Sequence, residues 1–295
     1  MSVERKLILV TGATGRQGGA VARCLLDSGF NVRFLTRELS KPAAQSLIGA
    51  GATGVLGDLD NESSLRPAIE GVYGVFSVQD SHEHGPLVEI EQGKRLADLA
   101  REYGAQHFVY TSVGAADRNT GIPFFDSKWE IESHIRSLGL RYTILRPVFF
   151  MENLLGPQMW SQIESGKLML GLHPNVPLQF IAVRDIGAFA CLAFSKPGEW
   201  VGKEIEIAGD ELTPTQCVEH FSRALGRTIT YSEIPIEQLR SMDPGYATMF
   251  DWFNRHGYRA DIEALRQLHP DLLDFDQWLK TAIKRAEPLP LRKAA

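Results

Sequence analysis

Lys6 to Gly19 reads KLILVTGATGRQGG, and AVARCLLDSG follows directly. A short apolar run bounded by glycine reads as a buried strand, and the apolar residues that follow recur at helical spacing until Gly29. Strand, glycine turn and helix in this order form the setting in which a dinucleotide pyrophosphate is held. Gly12 permits the tight turn, Gly15 lets backbone N–H groups approach the phosphates, and Gly18 allows helix and strand to pack closely. The helix N-terminus adds a positive partial charge for the anion.

Outward from this unit, strand and helix signals alternate strictly. Strands are read at NVRFLTR (31–37), GVLGD (54–58), VYGVFSV (72–78), HFVYTSVG (107–114) and RYTILRP (141–147). Helices are read at KPAAQSLIGAG (41–51), SLRPAIEG (64–71), LVEIEQGKRLADLAREYG (87–104) and KWEIESHIRSLG (128–139). Alternation with mostly apolar strands predicts an α/β fold: a parallel, doubly wound Rossmann sheet covered on both faces. After Arg146-Pro147 the pattern is irregular. VRDIGAFACLAF reads as a helix begun by Asp185, KEIEIAG (203–209) and TITYSEIP (228–235) as strands, and TPTQCVEHFSRALG as a helix capped by Thr213 and stopped by Gly226. Residues 236–285 read as mainly helical, and the tail AEPLPLRKAA as loose. The expected organisation is a nucleotide-binding domain over residues 1–150, with parts of 181–210 returning to it, and a smaller, mainly helical domain over 151–295.

Composition excludes several classes. The formal net charge is −5, and no concentrated basic surface for a phosphate backbone is visible, so direct nucleic-acid binding is not expected. No run approaches the roughly 18 apolar residues of a membrane helix, and the N-terminal apolar stretch leads into the glycine motif rather than a cleavage site. A cytoplasmic protein without membrane contact is expected. Cys24, Cys191 and Cys217 are widely separated, each inside a helical pattern, and read as small buried hydrophobes. His82-Glu83-His84 lacks a spaced partner set, and reads as a solvated loop, not a metal site.

The end of the second strand decides the cofactor. An NAD site places Asp or Glu there for the ribose hydroxyls. This chain has Leu35-Thr36-Arg37, with Lys41 following and Arg16 in the glycine loop. Arginine is an always-charged fork that suits phosphate oxygens, so NADP(H) is predicted. Asp58, with Leu59, closes the third strand, where it would accept from an adenine amino group or cap the next helix.

TGATGRQGG, the VRFLTR strand end, GKRLADLAREYG, FFDSKWEIESHIRSLGLRYTILRP, the MEN-LL segment and DIEALRQLHP…DFDQWL together resemble the NmrA-like branch of atypical short-chain dehydrogenases, especially its NADPH-sensing HSCARG-type members. The similarity spans essentially the whole chain. It implies a Rossmann domain with a small C-terminal domain, NADP(H) binding, and a homodimer. It also implies cofactor contacts from Gly12, Ala13, Thr14, Gly15, Arg16, Gln17, Arg37, Lys41, Asp58, Leu59, Gln79, Lys128, Phe150 and Asn153.

Ordinary members of the wider superfamily pair a strand-end serine with Tyr-x-x-x-Lys, in which the tyrosine moves the proton and the lysine holds the ribose. Here Ser112 and Lys128 are present, but Phe124 stands four residues before Lys128; Tyr110 and Tyr142 lie in strands, out of register. The standard relay is broken, as the resemblance implies, and the chain is expected to sense its cofactor and signal to a regulatory protein partner. The alternative is an NADPH-dependent reductase of a small electron-poor acceptor such as a quinone, enone or imine, since the cofactor itself carries hydride chemistry. Lys128 would then be the catalytic residue. A nucleotide-sugar epimerase would need the missing tyrosine. Phe149, Phe150 and Met151 would line a substrate pocket or fill a domain interface, and Met249 to Phe253 would pack on the core or on a partner.

Overall fold

A computed structural model describes residues 5–81 and 85–286. The His82–His84 loop and all but the first residue of the C-terminal tail lie outside the described residues. Two compact units emerge: residues 1–147 with 183–207, and residues 148–182 with 208–295.

In the first unit the glycine turn joins β1 (Leu7–Val10) to α1 (Arg16–Asp27). β2 (Asn31–Thr36), α2 (Pro42–Gly49), β3 (Thr53–Leu56), α3 (Glu62–Ile69) and β4 (Gly74–Ser77) follow. Next come α4 (Pro86–Glu102), β5 (His107–Thr111), α5 (Pro123–Ser137) and β6 (Tyr142–Pro147). In the numbering of the whole chain, this unit regains α7 (Val183–Ser195), α8 (Pro197–Trp200) and β10 (Glu204–Ile207). The sheet is ordered β10-β6-β5-β4-β1-β2-β3, with every pairing parallel.

Alternation along each strand explains why both faces must be covered. Leu9, Val75 and Phe108 are lateral neighbours across β1, β4 and β5, all buried, with Ile131 and Leu96 among the same cluster. The intervening residues Ile8, Val10, Phe76 and Val109 are fully buried as well. A strand buried on both faces is what parallel pairing produces. The expected doubly wound sheet is therefore the observed one. Because the chain builds β2 and β3 on one side of β1 and then returns to place β4 on the other, a switch point lies between β1 and β4.

Three helix starts fall elsewhere than the residue pattern alone puts them. Asn61, not Asp58, caps α3, its side chain accepting from the Ser63 amide at 3.1 Å. Helix α5 begins at Pro123, so Phe124 lies inside its first turn. Helix α7 begins at Val183, two residues ahead of Asp185.

The second unit contains β7 (Phe149–Phe150), a 3₁₀ turn (Met151–Leu155), α6 (Pro157–Glu164), β8 (Lys167–Leu170) and β9 (Leu178–Ile181). It continues through β11 (Asp210–Leu212), α9 (Pro214–Leu225), β12 (Thr230–Glu233), α10 (Ile236–Met242), α11 (Pro244–Arg255), α12 (Ile262–Leu268) and α13 (Phe275–Ala286). Its strands form β11-β9-β7 and β12-β8. Thr213 caps α9 in a capping box with Gln216, and Gly226 ends it in the left-handed conformation, both as the residue pattern predicts. Met249, Phe250, Trp252 and Phe253 are buried, and Phe253 packs against Tyr258 with centroids 5.0 Å apart. That aromatic stretch belongs to the core.

One buried polar pair yields a measurable pH response. His107 is fully buried in β5, with Nε2 2.8 Å from Thr143 Oγ1. Burial, then the charges of Arg141 and Lys6, lower its pKa from 6.5 to about 4. Above the unfolded value neither state is protonated. As pH falls from 6.5, the unfolded chain takes up a proton that the folded chain refuses, so stability is lost until about pH 4. The full shift corresponds to roughly 3 kcal/mol. Urea unfolding at about pH 7.5 and pH 4 should show wild type losing that much more stability than His107→Gln; equal losses would refute it.

Candidate functional site

At the switch point Thr11 stitches the ends of β1 and β4 together. Its amide donates to Phe76 O at 3.1 Å, its hydroxyl to Val78 O at 3.1 Å, and the Val78 amide donates back to that hydroxyl at 2.9 Å. Gly12 turns away from the strand with φ +59°, which an L side chain rarely adopts. The Gly15 amide closes the turn onto Gly12 O at 2.9 Å. A Cβ on Gly18 would lie 2.4 Å from Gly12 O and 2.5 Å from Thr11 O, so helix and loop are in backbone contact.

The N-terminus of α1 has no side-chain cap and no acidic residue in its first turn. Its first amides therefore point outward over a loop without bulk, which is how a pyrophosphate is cradled. Ala13 is buried, Thr14 and Gln17 are half-buried, and Arg16 is exposed. Gln17 is fixed by a 2.8 Å hydrogen bond from the Thr111 hydroxyl, which ties the loop to the end of β5.

Arg37 follows β2 and is exposed, and Lys41 is exposed at the start of α2. Glu38, directly after Arg37, is an acid that the strand-end reading passed over. Its carboxylate accepts from Ser40 Oγ at 2.6 Å. Asp58 and Leu59 are half-buried beyond β3; Asp58 Oδ1 accepts from the Asp60 amide at 3.0 Å, and Leu59 O from Arg95 at 2.6 Å.

Beyond β4 and β5 the groups are buried and polar. Gln79 is 6% exposed; its amide nitrogen donates to Ser77 Oγ at 3.0 Å, and its Oε1 has no partner among the described residues. Ser112 Oγ and Tyr110 OH are likewise buried without partners among them. Unpaired buried oxygens are costly, and they are common where a ligand completes the set. Burial, then the charges of Glu89 and Glu132, hold the Tyr110 phenol far above its ordinary range, so it keeps its proton. Tyr142 OH is engaged with Glu204 Oε1 at 3.1 Å.

Lys128, on α5, is ion-paired through Nζ to Glu89 Oε1, and the Ser127 hydroxyl donates to the other oxygen of Glu89 at 2.5 Å. Glu89 is 1% exposed. The sequence reading did not single it out, although a signal was present. Glu89, Gly93, Leu96 and Ala100 occupy one buried stripe of α4, and a charged residue in such a stripe needs a partner. Phe124 packs edge-on against Phe125, with centroids 5.4 Å apart. Phe150 and Asn153 belong to the second unit, on β7 and the 3₁₀ turn after it. Among the described residues, no group of three metal-binding side chains occurs, and no helix is long and apolar enough to cross a membrane.

Sheet order, the switch-point turn and the uncapped helix end define a Rossmann-type α/β protein. The model of the NmrA-like family matches residues 4–279, and the chain belongs to that family. Among its relatives, an NmrA-like family domain-containing protein of Dictyostelium discoideum is 29% identical, over 93% of this chain and 97% of the relative. An NAD(P)H azoreductase of Xenophilus azovorans is 31% identical, over 81% of each. The crystal structure of NmrA, a negative transcriptional regulator, in complex with NADP has the same fold, with a TM-score of 0.80, 23% identity, and 98% and 99% of the two chains covered. The sequence-based resemblance thus holds across the chain.

Proposed function

We propose that this chain binds NADP(H) at the β1–β4 switch point and acts as a cofactor-sensing regulator rather than an ordinary dehydrogenase. The observation that carries the reading is an uncapped, glycine-lined turn suited to a phosphate, together with a lysine committed to a buried carboxylate and Phe124 where a proton donor would stand. Gly12 to Gly18 would take the pyrophosphate, Arg37 and Lys41 the 2′-phosphate, Asp58 and Leu59 the adenine end, and Gln79, Lys128, Phe150 and Asn153 the remaining contacts. Cofactor state would be passed through the loops at the C-terminal sheet edge to a regulatory protein partner. The working form is a cytoplasmic homodimer in this reading. The NmrA regulator solved with NADP, and the family membership, support the cofactor part of this reading.

Calorimetric titration with NADPH, NADP, NADH and NAD tests the binding. Wild type should prefer the phosphorylated pair, and Arg37→Asp should erase that preference by roughly 10- to 100-fold, the worth of charge-assisted hydrogen bonds to one phosphate. An unchanged preference would remove Arg37 from the site.

A reductase is the second reading, favoured by the azoreductase relative and by the unpartnered Ser112 and Gln79 oxygens near the strand ends. Bound cofactor would supply hydride, Lys128 would serve as the catalytic residue, and a small quinone, enone, imine or azo compound would accept. Sustained NADPH consumption on an acceptor panel, lost in Lys128→Ala, would decide for this reading and against a pure sensor.

A further inference from the structure

Helices α1 and α7 cross at nearly direct backbone contact. A Cβ on Gly187 would lie 2.8 Å from the Ala20 carbonyl carbon and 3.1 Å from its Cβ. One turn further along each helix stand Cys24 and Cys191, and a second turn brings Ser28 and Ser195. Cys191 Sγ lies 3.1 Å from Ser28 Oγ and 3.6 Å from the Cys24 carbonyl oxygen. Neither residue is near the cofactor cradle, and no step of either functional reading uses them. Cys191 is 5% exposed, whereas Cys24 is half-buried and Ser28 exposed, so a small oxidant reaches the pair from the Ser28 side.

We infer that Cys24 and Cys191 form a peroxide-sensitive dithiol that closes to a reversible disulfide stapling α1 to α7. Hydrogen bonding from Cys24, then from Ser28 and Ser195, holds the Cys191 thiol below its ordinary value against burial. The Ser28 hydroxyl lies 3.1 Å from its sulfur, where it can donate to a thiolate, so the attacking sulfur is Cys191. Its thiolate attacks hydrogen peroxide, forming S–O and breaking O–O, which leaves a sulfenic acid and hydroxide. The Cys24 sulfur then attacks that sulfur, forming S–S and breaking S–O. The Cys24 proton and the displaced hydroxyl leave as water. In total two thiols are oxidised by two electrons, and one peroxide is reduced to two waters. Cys191 Sγ already lies against the Cys24 backbone, so closure turns the Cys24 side chain toward it without unfolding either helix. Cys217, 1% exposed and pushed up by burial, supplies an internal reference within the same chain. The dithiol stands independently of the cofactor reading.

The test treats the full chain with hydrogen peroxide, blocks remaining thiols with N-ethylmaleimide, and reads the intact mass and peptide map. The three thiols should fall to one, Cys217, with a loss of about 2 Da, a Cys24–Cys191 cross-linked peptide, and full reversal by dithiothreitol. In Cys24→Ser, dimedone should capture a sulfenic acid on Cys191; in Cys191→Ser, Cys24 should stay a thiol. Phenylarsine oxide, which bridges neighbouring thiols, should bind untreated wild type and neither variant. Three surviving thiols, a disulfide between two chains, or pairing with Cys217 would overturn the inference.

Discussion

Arg146→Ala should lower the unfolding free energy by about 3–5 kcal/mol, the usual consequence of leaving a buried charge without its partner. At the end of β6 the Arg146 guanidinium meets Glu132 in a two-pronged contact, Nε to Oε1 at 2.9 Å and Nη2 to Oε2 at 2.7 Å. It also reaches Asp117 and Glu204, each at 2.8 Å. The Glu132 side chain is fully buried, and among the described residues only Arg136, at 3.1 Å, would remain to answer its charge. Chemical denaturation measures the loss. Glu132→Gln in the Arg146→Met background should recover much of it, because no uncompensated carboxylate is then left inside. A double variant as unstable as Arg146→Ala would mean that packing of the guanidinium against Trp129, 6.0 Å away, and not the charge, carries the effect.

Gly18→Val should raise the Kd for NADPH at least about a thousandfold, about 4 kcal/mol. Even a single Cβ would enter the space of the Gly12 and Thr11 carbonyl oxygens, at 2.4 and 2.5 Å. Those atoms are backbone, so relief requires α1 to retreat from β1, carrying its N-terminal amides away from the proposed position of the pyrophosphate. Gly198→Ala in α8, where nothing lies within 4 Å of the new methyl group, should bind as wild type. Titration by NADPH fluorescence reads both. Near-normal affinity in Gly18→Val, with a thermal midpoint close to wild type, would mean the dinucleotide does not use this turn.

The two experiments probe what was legible at different depths. KLILVTGATGRQGG announced its strand, turn and helix because each signal is local: apolar run, glycines, then apolar residues at helical spacing. β4 and β5, buried along their whole length and largely apolar, were equally legible, while β10 shows instead an alternation of Glu with Ile. Capping was harder to place. Asn61 and Asp58 both suit the start of α3, and only the geometry of the turn selects Asn61. The two strands flanking β9 were not read, because two- and three-residue strands carry no periodicity. Glu89 was overlooked for a different reason: a single acid in an amphipathic helix looks solvated until the helix is packed and Lys128 is found above it.

The family shows in resemblance along the whole chain. Local sequence by itself determined the alternation of strand and helix, the glycine turn, the arginine after β2 and the phenylalanine four residues before Lys128. Each depends on residue type at short spacing, where steric and hydrogen-bonding preferences act directly. Tertiary structure alone decided which distant charges and thiols meet. Glu89 with Lys128, Arg146 with Glu132, Asp117 and Glu204, and Cys24 with Cys191 are separated by stretches of chain that no periodicity spans. Their pairing follows from strand order and helix crossing, and a buried charge or thiol acquires its chemistry only from the neighbours that packing supplies.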